Sequence, residues 1–196
     1  RDRSNIGFST SAGKVPIVVG LSLFDLGNGS AMVRPGHQEG KEAAVVASST
    51  MQLGRVGAGS GATVSKWRGK EFSELGGLGC STLREGDLIV SCLIAVNASG
   101  DIDFGKYPDK IRDGQFSIPK VNPFENTTIG VVATNAKLTK SECFLASQSA
   151  HDGYARALFP AHTSGDGDAV VVAATGQVPA EMSTIRLLTT CLLYTS

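Results

Sequence analysis

At 196 residues, 41% hydrophobic and 18% charged, the chain has the size and apolar content of a single globular domain, which excludes a disordered polyelectrolyte. Its 18 basic residues balance 18 acidic ones and no basic run stands out, so nothing draws it electrostatically to nucleic acid, which is not an expected partner. No apolar run reaches the roughly 18 residues of a membrane span and Arg1-Asp2-Arg3-Ser4 leads into no signal-peptide core, so the expectation is a cytoplasmic protein with no membrane partner.

The chain begins at Arg1 rather than methionine and enters a patterned segment at once, so an N-terminal part is expected to be missing. Residues 15–23 are an apolar run bounded downstream by Gly27-Asn28-Gly29 and predict a buried strand. Residues 41–49 contain Ala43-Ala44-Val45-Val46-Ala47 and predict a short helix packed closely on a sheet. The glycine cluster over 54–62 has a G-x-G-x-x-A spacing at Gly57, Gly59 and Ala62. A dinucleotide turn needs a strand before it and a helix after it, and Thr63-Val64-Ser65-Lys66-Trp67 reads as a strand, so close backbone packing is the better account. Residues 88–96 are continuous and β-rich between turn chemistries, which predicts a central strand. Residues 100–124, with Pro108, Pro119 and Pro123, predict a long exposed loop.

Asn126-Thr127-Thr128 then opens a strand predicted over 128–134. A hydroxyl residue that starts a buried strand directly after a loop is a place where a chain can cut its own backbone and leave threonine as a new N-terminus. The same three residues equally open an ordinary strand of β-branched residues. Thr139-Lys140-Ser141-Glu142 is a capping box that starts a helix. Cys143, Phe144, Ala146, Ala150, Tyr154, Ala157 and Leu158 recur along it at three- and four-residue spacing as one buried face, and Pro160 ends the run. Gly165-Asp166-Gly167-Asp168 precedes a final apolar strand over 169–174. Spaced by two in an extended segment, the two carboxylates lean to one face; they fit a turn cap or a cation contact but fall short of a calcium loop. Cys191-Leu192-Leu193-Tyr194-Thr195-Ser196 resembles the in-frame translation of a transposon-end sequencing adapter and is set aside from the fold, leaving one domain over 1–190.

Other chemistries are poorly supported. Cys80, Cys92, Cys143 and Cys191 form no C-x-x-C pair, so buried reduced thiols are expected rather than zinc or a disulfide framework. His37, His151 and His162 show no four-residue helical spacing, and no G-x-S-x-G elbow exists for a serine triad. No cofactor and no metal is expected.

Glu125-Asn126-Thr127-Thr128-Ile129-Gly130-Val131-Val132-Ala133-Thr134, Ala150-His151-Asp152-Gly153 with Ala155-Arg156-Ala157, His162-Thr163 with Asp166-Gly167-Asp168, and Ala174-Thr175-Gly176 together resemble the self-processing peptidase family S58. That family includes L-aminopeptidase/D-esterases, β-peptidyl aminopeptidases and 6-aminohexanoate-oligomer hydrolases. Upstream, Val15-Pro16-Ile17-Val18-Val19, Phe24-Asp25-Leu26 and residues 57–63 follow in the family's order, so the resemblance covers nearly all of residues 7–176.

The resemblance implies an α/β fold of layered α/β/β/α type, as in N-terminal-nucleophile aminopeptidases, with two mixed sheets face to face and helices outside. It implies cleavage at Asn126–Thr127, giving chains 1–126 and 127–190, with Thr127 as N-terminal nucleophile. The freed α-amine, with a pKa near about 7.7–8.0, would act as base for the hydroxyl. It further implies Asn97 as an oxyanion donor, Lys66 as a cation that keeps the α-amine neutral, and Asp166 and Asp168 as the pair that orients the nucleophile. A homo-oligomer of processed heterodimers is implied as well.

The chain departs from the aminopeptidase branch, which has Gly-Ser at the cut and Ser-x-Glu where Asp166-x-Asp168 stands, and it looks closer to the threonine branch. Phe24 lacks the hydroxyl that relatives often carry there. The expected activity is hydrolysis of amide bonds in small peptides, amino-acid amides or esters, or ω-amino acid oligomers. Ornithine acetyltransferase-like acyl transfer and a non-enzymatic, inactive fragment are the alternatives.

Overall fold

The computed structural model describes residues 7–104 and 125–194. A short antiparallel hairpin, β1 (Phe8–Thr10) and β2 (Gly13–Val15), is followed by helix α1 (His37–Val46). Next come β3 (Thr63–Val64) and β4 (Glu74–Leu75), which pair with each other, and then the long strands β5 (Gly77–Glu85) and β6 (Leu88–Asn97). The rest is β7 (Asp101–Ile102), β8 (Thr127–Ala136), helix α2 (Lys140–Ala157), β9 (Leu158–Phe159), β10 (Ala169–Val178) and helix α3 (Met182–Tyr194).

The centre is a four-stranded mixed sheet in the order β10-β8-β6-β5. A two-residue loop joins β5 to β6, with Glu85 opposite Leu88, and Gly86 supplies the positive φ of 57° that such a tight turn needs. β8 runs antiparallel to β6 and parallel to β10. A parallel pair cannot be closed by a hairpin, and here α2 makes the crossover. Strand periodicity then sorts the faces. Val90, Cys92 and Ile94 of β6 and Val132 of β8 form one core with Ala146, Ala150 and Tyr154 of α2 and Ile185 and Leu192 of α3. Both long helices therefore cover the same face of the sheet.

α2 begins as its capping box predicts. The Thr139 hydroxyl accepts from the Glu142 amide at 3.2 Å, and the Thr139 amide donates back to the Glu142 carboxylate at 2.7 Å. Ala146, Ala150 and Tyr154 face the core as expected, whereas Phe144 points outward and Leu158 has already passed into β9. The last turn of α3 contains Cys191 and Leu192, from the segment set aside as adapter-like, and Leu192 is buried. Cys92 is buried and the other three cysteines are half-buried.

Two expectations are corrected. Residues 16–23 form no strand, and Ile17 and Val18 are 79% and 82% exposed. An apolar run becomes a buried strand only where a sheet edge offers hydrogen bonds and a second layer covers it, and none of the described residues supplies either. α1 forms, but it buries no residue, so its alanines do not pack on the sheet. Of the predicted loop over 100–124, residues 101–102 pair with β9, and residues 105–124 lie outside the described residues.

Candidate active site

The register of β6 against β8 sets Asn97 directly opposite Thr127 at the ends of the two central strands. Residues opposed in this way project to the same face. That is the helix-free face, because Thr128 and Gly130 alternate toward the core and Gly130 lies under Tyr154 of α2. The loop before β10 closes over the start of β8, with Asp166 bridged to Asn126. The parallel pairing of β10 beside β8 delivers that loop there.

The Asn126–Thr127 peptide bond is held from several sides. The Thr127 hydroxyl lies 2.5 Å from the Asn126 carbonyl oxygen, and the Gly167 amide donates to that same oxygen at 2.8 Å. The Thr128 amide donates to Asp168 Oδ1 at 2.7 Å. Asp166 Oδ1 accepts from the Ser99 amide at 2.9 Å, while its Oδ2 accepts from the amide and hydroxyl of Thr163 at 3.0 and 2.6 Å. Burial holds the Asp166 carboxyl above the usual carboxylate range despite these donors. Thr127 is 8% exposed and Asn126 3%, so the hydroxyl is enclosed while the chain is continuous.

Of the residues picked out in the sequence, Asn126, Thr127, Asp166 and Asp168 converge directly. The two carboxylates, expected to lean to one face and orient the threonine hydroxyl, instead diverge onto backbone amides, Ser99 and Thr163 on one side and Thr128 on the other. Asp166 also makes the turn cap expected of it, through Thr163.

Lys66 and Asn97 form an adjoining unit. Lys66 Nζ donates to the Asn97 carbonyl at 3.2 Å and to its Oδ1 at 3.1 Å, and the Thr63 amide donates to the same Oδ1 at 3.0 Å. Asn97 Nδ2 donates to the Phe24 carbonyl at 2.6 Å, so the donor expected to serve an oxyanion is engaged by main chain. Burial lowers the Lys66 ammonium to about 8, opposed by the carboxylates of Asp166, Glu125 and Asp25. A cleft of about 270 Å³ opens beside this unit, lined by Phe24, Asp25, Lys66, Ser99, Glu125 and Asn126 among others. Glu125 and Asn126, which precede the bond in question, thus form part of its wall.

Sequence reasoning passed over Gly167 and Ser99, which act through backbone amides, and gave His162 no role. His162 Nδ1 lies 2.7 Å from Asp168 Oδ2. Its sequence signals are its place in the His162-Thr163 motif of the resemblance and a position six residues before that aspartate. Among the described residues no group of three or more His, Cys, Asp or Glu side chains could hold a metal ion, and no helix is long and apolar enough to cross a membrane.

This geometry suits acyl chemistry at one peptide bond: a hydroxyl beside a carbonyl whose oxygen already meets a fixed N–H donor. Known proteins similar to this chain include peptidases and an oligomer hydrolase. The sequence model described as Peptidase family S58 matches residues 5–193. An uncharacterized aminopeptidase of Mycobacterium tuberculosis is 34% identical over 194 residues, covering 88% of this chain and 54% of the relative. A 6-aminohexanoate-oligomer endohydrolase of Paenarthrobacter ureafaciens is 25% identical over 190 residues, covering 86% and 53%. The chain therefore spans about half the length of the curated relatives it matches. The solved L-aminopeptidase D-Ala-esterase/amidase of Ochrobactrum anthropi, described as a variant of the Ntn hydrolase fold, superposes with a TM-score of 0.53 at 19% identity, covering 76% of this chain and 44% of that one. The layered α/β fold is that of these enzymes.

Proposed function

The chain belongs to peptidase family S58, and from that premise we propose that it is a self-processing amide hydrolase whose nucleophile is Thr127. The observation that carries this reading is the convergence on one carbonyl, with the Thr127 hydroxyl and the Gly167 amide both on the Asn126 oxygen. In the first step Thr127 Oγ1 adds to the Asn126 carbonyl carbon, and the oxygen that gains charge is the one already facing the Gly167 N–H. The C–N bond then breaks, the amide nitrogen takes the proton lost by the hydroxyl, and an ester remains. Water hydrolyses the ester, releasing the carboxylate of Asn126 and restoring the Thr127 hydroxyl beside the α-amine freed in the step before.

In later turnovers that amine takes the hydroxyl proton while Oγ1 attacks a substrate carbonyl, and water resolves the acyl-enzyme. Lys66, with its ammonium lowered to about 8, supports a neutral α-amine by adding positive charge to the same end of the sheet. Substrates are small amides of the kind named for the relatives: peptides, amino-acid amides or ω-amino acid oligomers. They would enter the cleft once residues 125 and 126 withdraw from its wall.

Mass spectrometry of the purified chain tests the cut. A fragment beginning at Thr127 is expected, and Thr127→Ala abolishes it. Amine release from a short peptide panel, run beside acetyl-ornithine, assigns the reaction; an uncut chain that is nevertheless active would overturn the proposal.

A further inference from the structure

His162 stands outside the residues given a role above, and its setting is unusual in three respects. Its backbone φ is +53°, a left-handed conformation uncommon outside glycine, which histidine adopts more readily than most other residues. Its ring is fastened at both nitrogens, Nδ1 to Asp168 Oδ2 at 2.7 Å and Nε2 to the His151 carbonyl oxygen at 3.3 Å. Both partners are acceptors. Only an imidazolium, with a proton on each nitrogen, satisfies the two contacts at once.

The other groups around the ring agree with a positive charge. Asp168 lifts His162 above the ordinary histidine value against the effect of burial, and Asp166 adds to it. His151, whose ring centroid is 5.0 Å away, is pushed down by burial and by His162, against the raising effect of Asp168 and Asp152. The two rings are thus shifted in opposite senses, His162 toward the charged form and His151 toward the neutral one, and the Tyr154 ring packs 6.1 Å from His162. From Asp168 the path is short: the oxygen not bound to His162 accepts from the Thr128 amide, one residue past the proposed nucleophile.

We propose that His162 is a positioning residue that, as an imidazolium, fixes Asp168, through it the Thr128 amide, and so the seat of the Asn126–Thr127 bond against the Gly167 amide. The strained backbone is what aims the ring from the mouth of the loop back toward Asp168. This inference rests on the reading of Thr127 as the nucleophile, and two measurements keep the two claims apart.

The first uses the full chain carrying Thr127→Ala, which stays intact. In a nitrogen-15 NMR titration from about pH 5 to 9, across the histidine range, the Thr128 amide resonance is expected to move with the His162 ring, and adding His162→Asn abolishes that movement. Asparagine is the replacement because it tolerates a left-handed backbone. A Thr128 amide indifferent to His162 titration overturns the proposal, whether or not the chain ever cuts itself.

The second measurement is the pH profile of self-cleavage in the otherwise native chain. The native rate should fall on the alkaline side as His162 loses its proton. In His162→Asn the rate should be lower by roughly tenfold near neutrality, in keeping with the sensitivity of reaction rates to small misplacements, and that fall should be gone. Equal rates and profiles in the two proteins overturn it, and failure of the native chain to cut at all refutes the Thr127 reading instead.

Discussion

The seat of β8 against α2 can be probed by a pair of substitutions, Gly130→Ala and Tyr154→Phe. Gly130 is buried in β8, and a Cβ added there would stand 2.5 Å from Tyr154 Oη, with the next atoms, Tyr154 Cζ and Ile94 Cγ1, each at 3.6 Å. The whole conflict is therefore with one oxygen atom. Tyr154 is 2% exposed, so its ring has no room to swing away, and forced overpacking of this kind costs about 1–3 kcal/mol. The same hydroxyl is buried without a hydrogen-bond partner among the described residues, so Tyr154→Phe removes a desolvated group at no loss and should be neutral or stabilising by about 1 kcal/mol. With the oxygen gone, the methyl that Gly130→Ala adds meets only ordinary van der Waals neighbours at 3.6 Å, and its cost should fall to near zero. The expected coupling energy of the double-mutant cycle is thus about 2 kcal/mol, well above the few tenths typical of independent sites. Urea unfolding followed by circular dichroism, with a common m-value for the four proteins, measures it. If Gly130→Ala costs the same beside tyrosine as beside phenylalanine, the packing described for this interface is wrong.

Two further expectations concern the cap and the site. Thr139→Ala removes the acceptor for the Glu142 amide and should cost about 1 kcal/mol in the same urea assay, with Thr139→Asn recovering most of it. For Lys66, the native state holds the ammonium at about 8 while the unfolded chain keeps the ordinary lysine value of 10.5, so between those pH values the unfolded state binds more protons and stability rises with pH. Below that window the desolvation penalty of the charged lysine is fully present. Allowing for solvent screening, the rise is on the order of 2 kcal/mol, and Lys66→Met should abolish it when unfolding free energies are compared at about pH 7.5 and 10.5.

The strands and the helix nearest the site could be read from the sequence because their signals are local. Residues 169–174 carry an unbroken apolar run and residues 88–96 one interrupted only by Ser91, both beside turn residues, and Thr139 with Glu142 marks the start of α2 within one turn. Residues 16–23 carry an equally apolar run and yet lie exposed, because burial depends on a partner layer that no local pattern encodes. The site divides along the same line. Thr127, Asp166 and Asp168 were visible because side-chain chemistry is written in residue type. Gly167 was not, since a backbone N–H looks alike at every position and only the turn at 163–168 aims this one at the Asn126 oxygen. His162 stood in a motif of the resemblance without a role, because its contact with Asp168 depends on a left-handed bend that residue type alone does not fix.

The strand order β10-β8-β6-β5 has a consequence for a chain severed before Thr127. β5 and β6 would then belong to one polypeptide and β8 and β10 to the other, and the joint between them would be the ladder that runs from Asn97 opposite Thr127 to Val90 opposite Thr134. Lys66 and Asn97 would lie on one side of that seam, and Thr127, His162, Asp166, Gly167 and Asp168 on the other. Neither polypeptide would own a complete site, so the chemistry would depend on an interlocked pair that no covalent bond holds together.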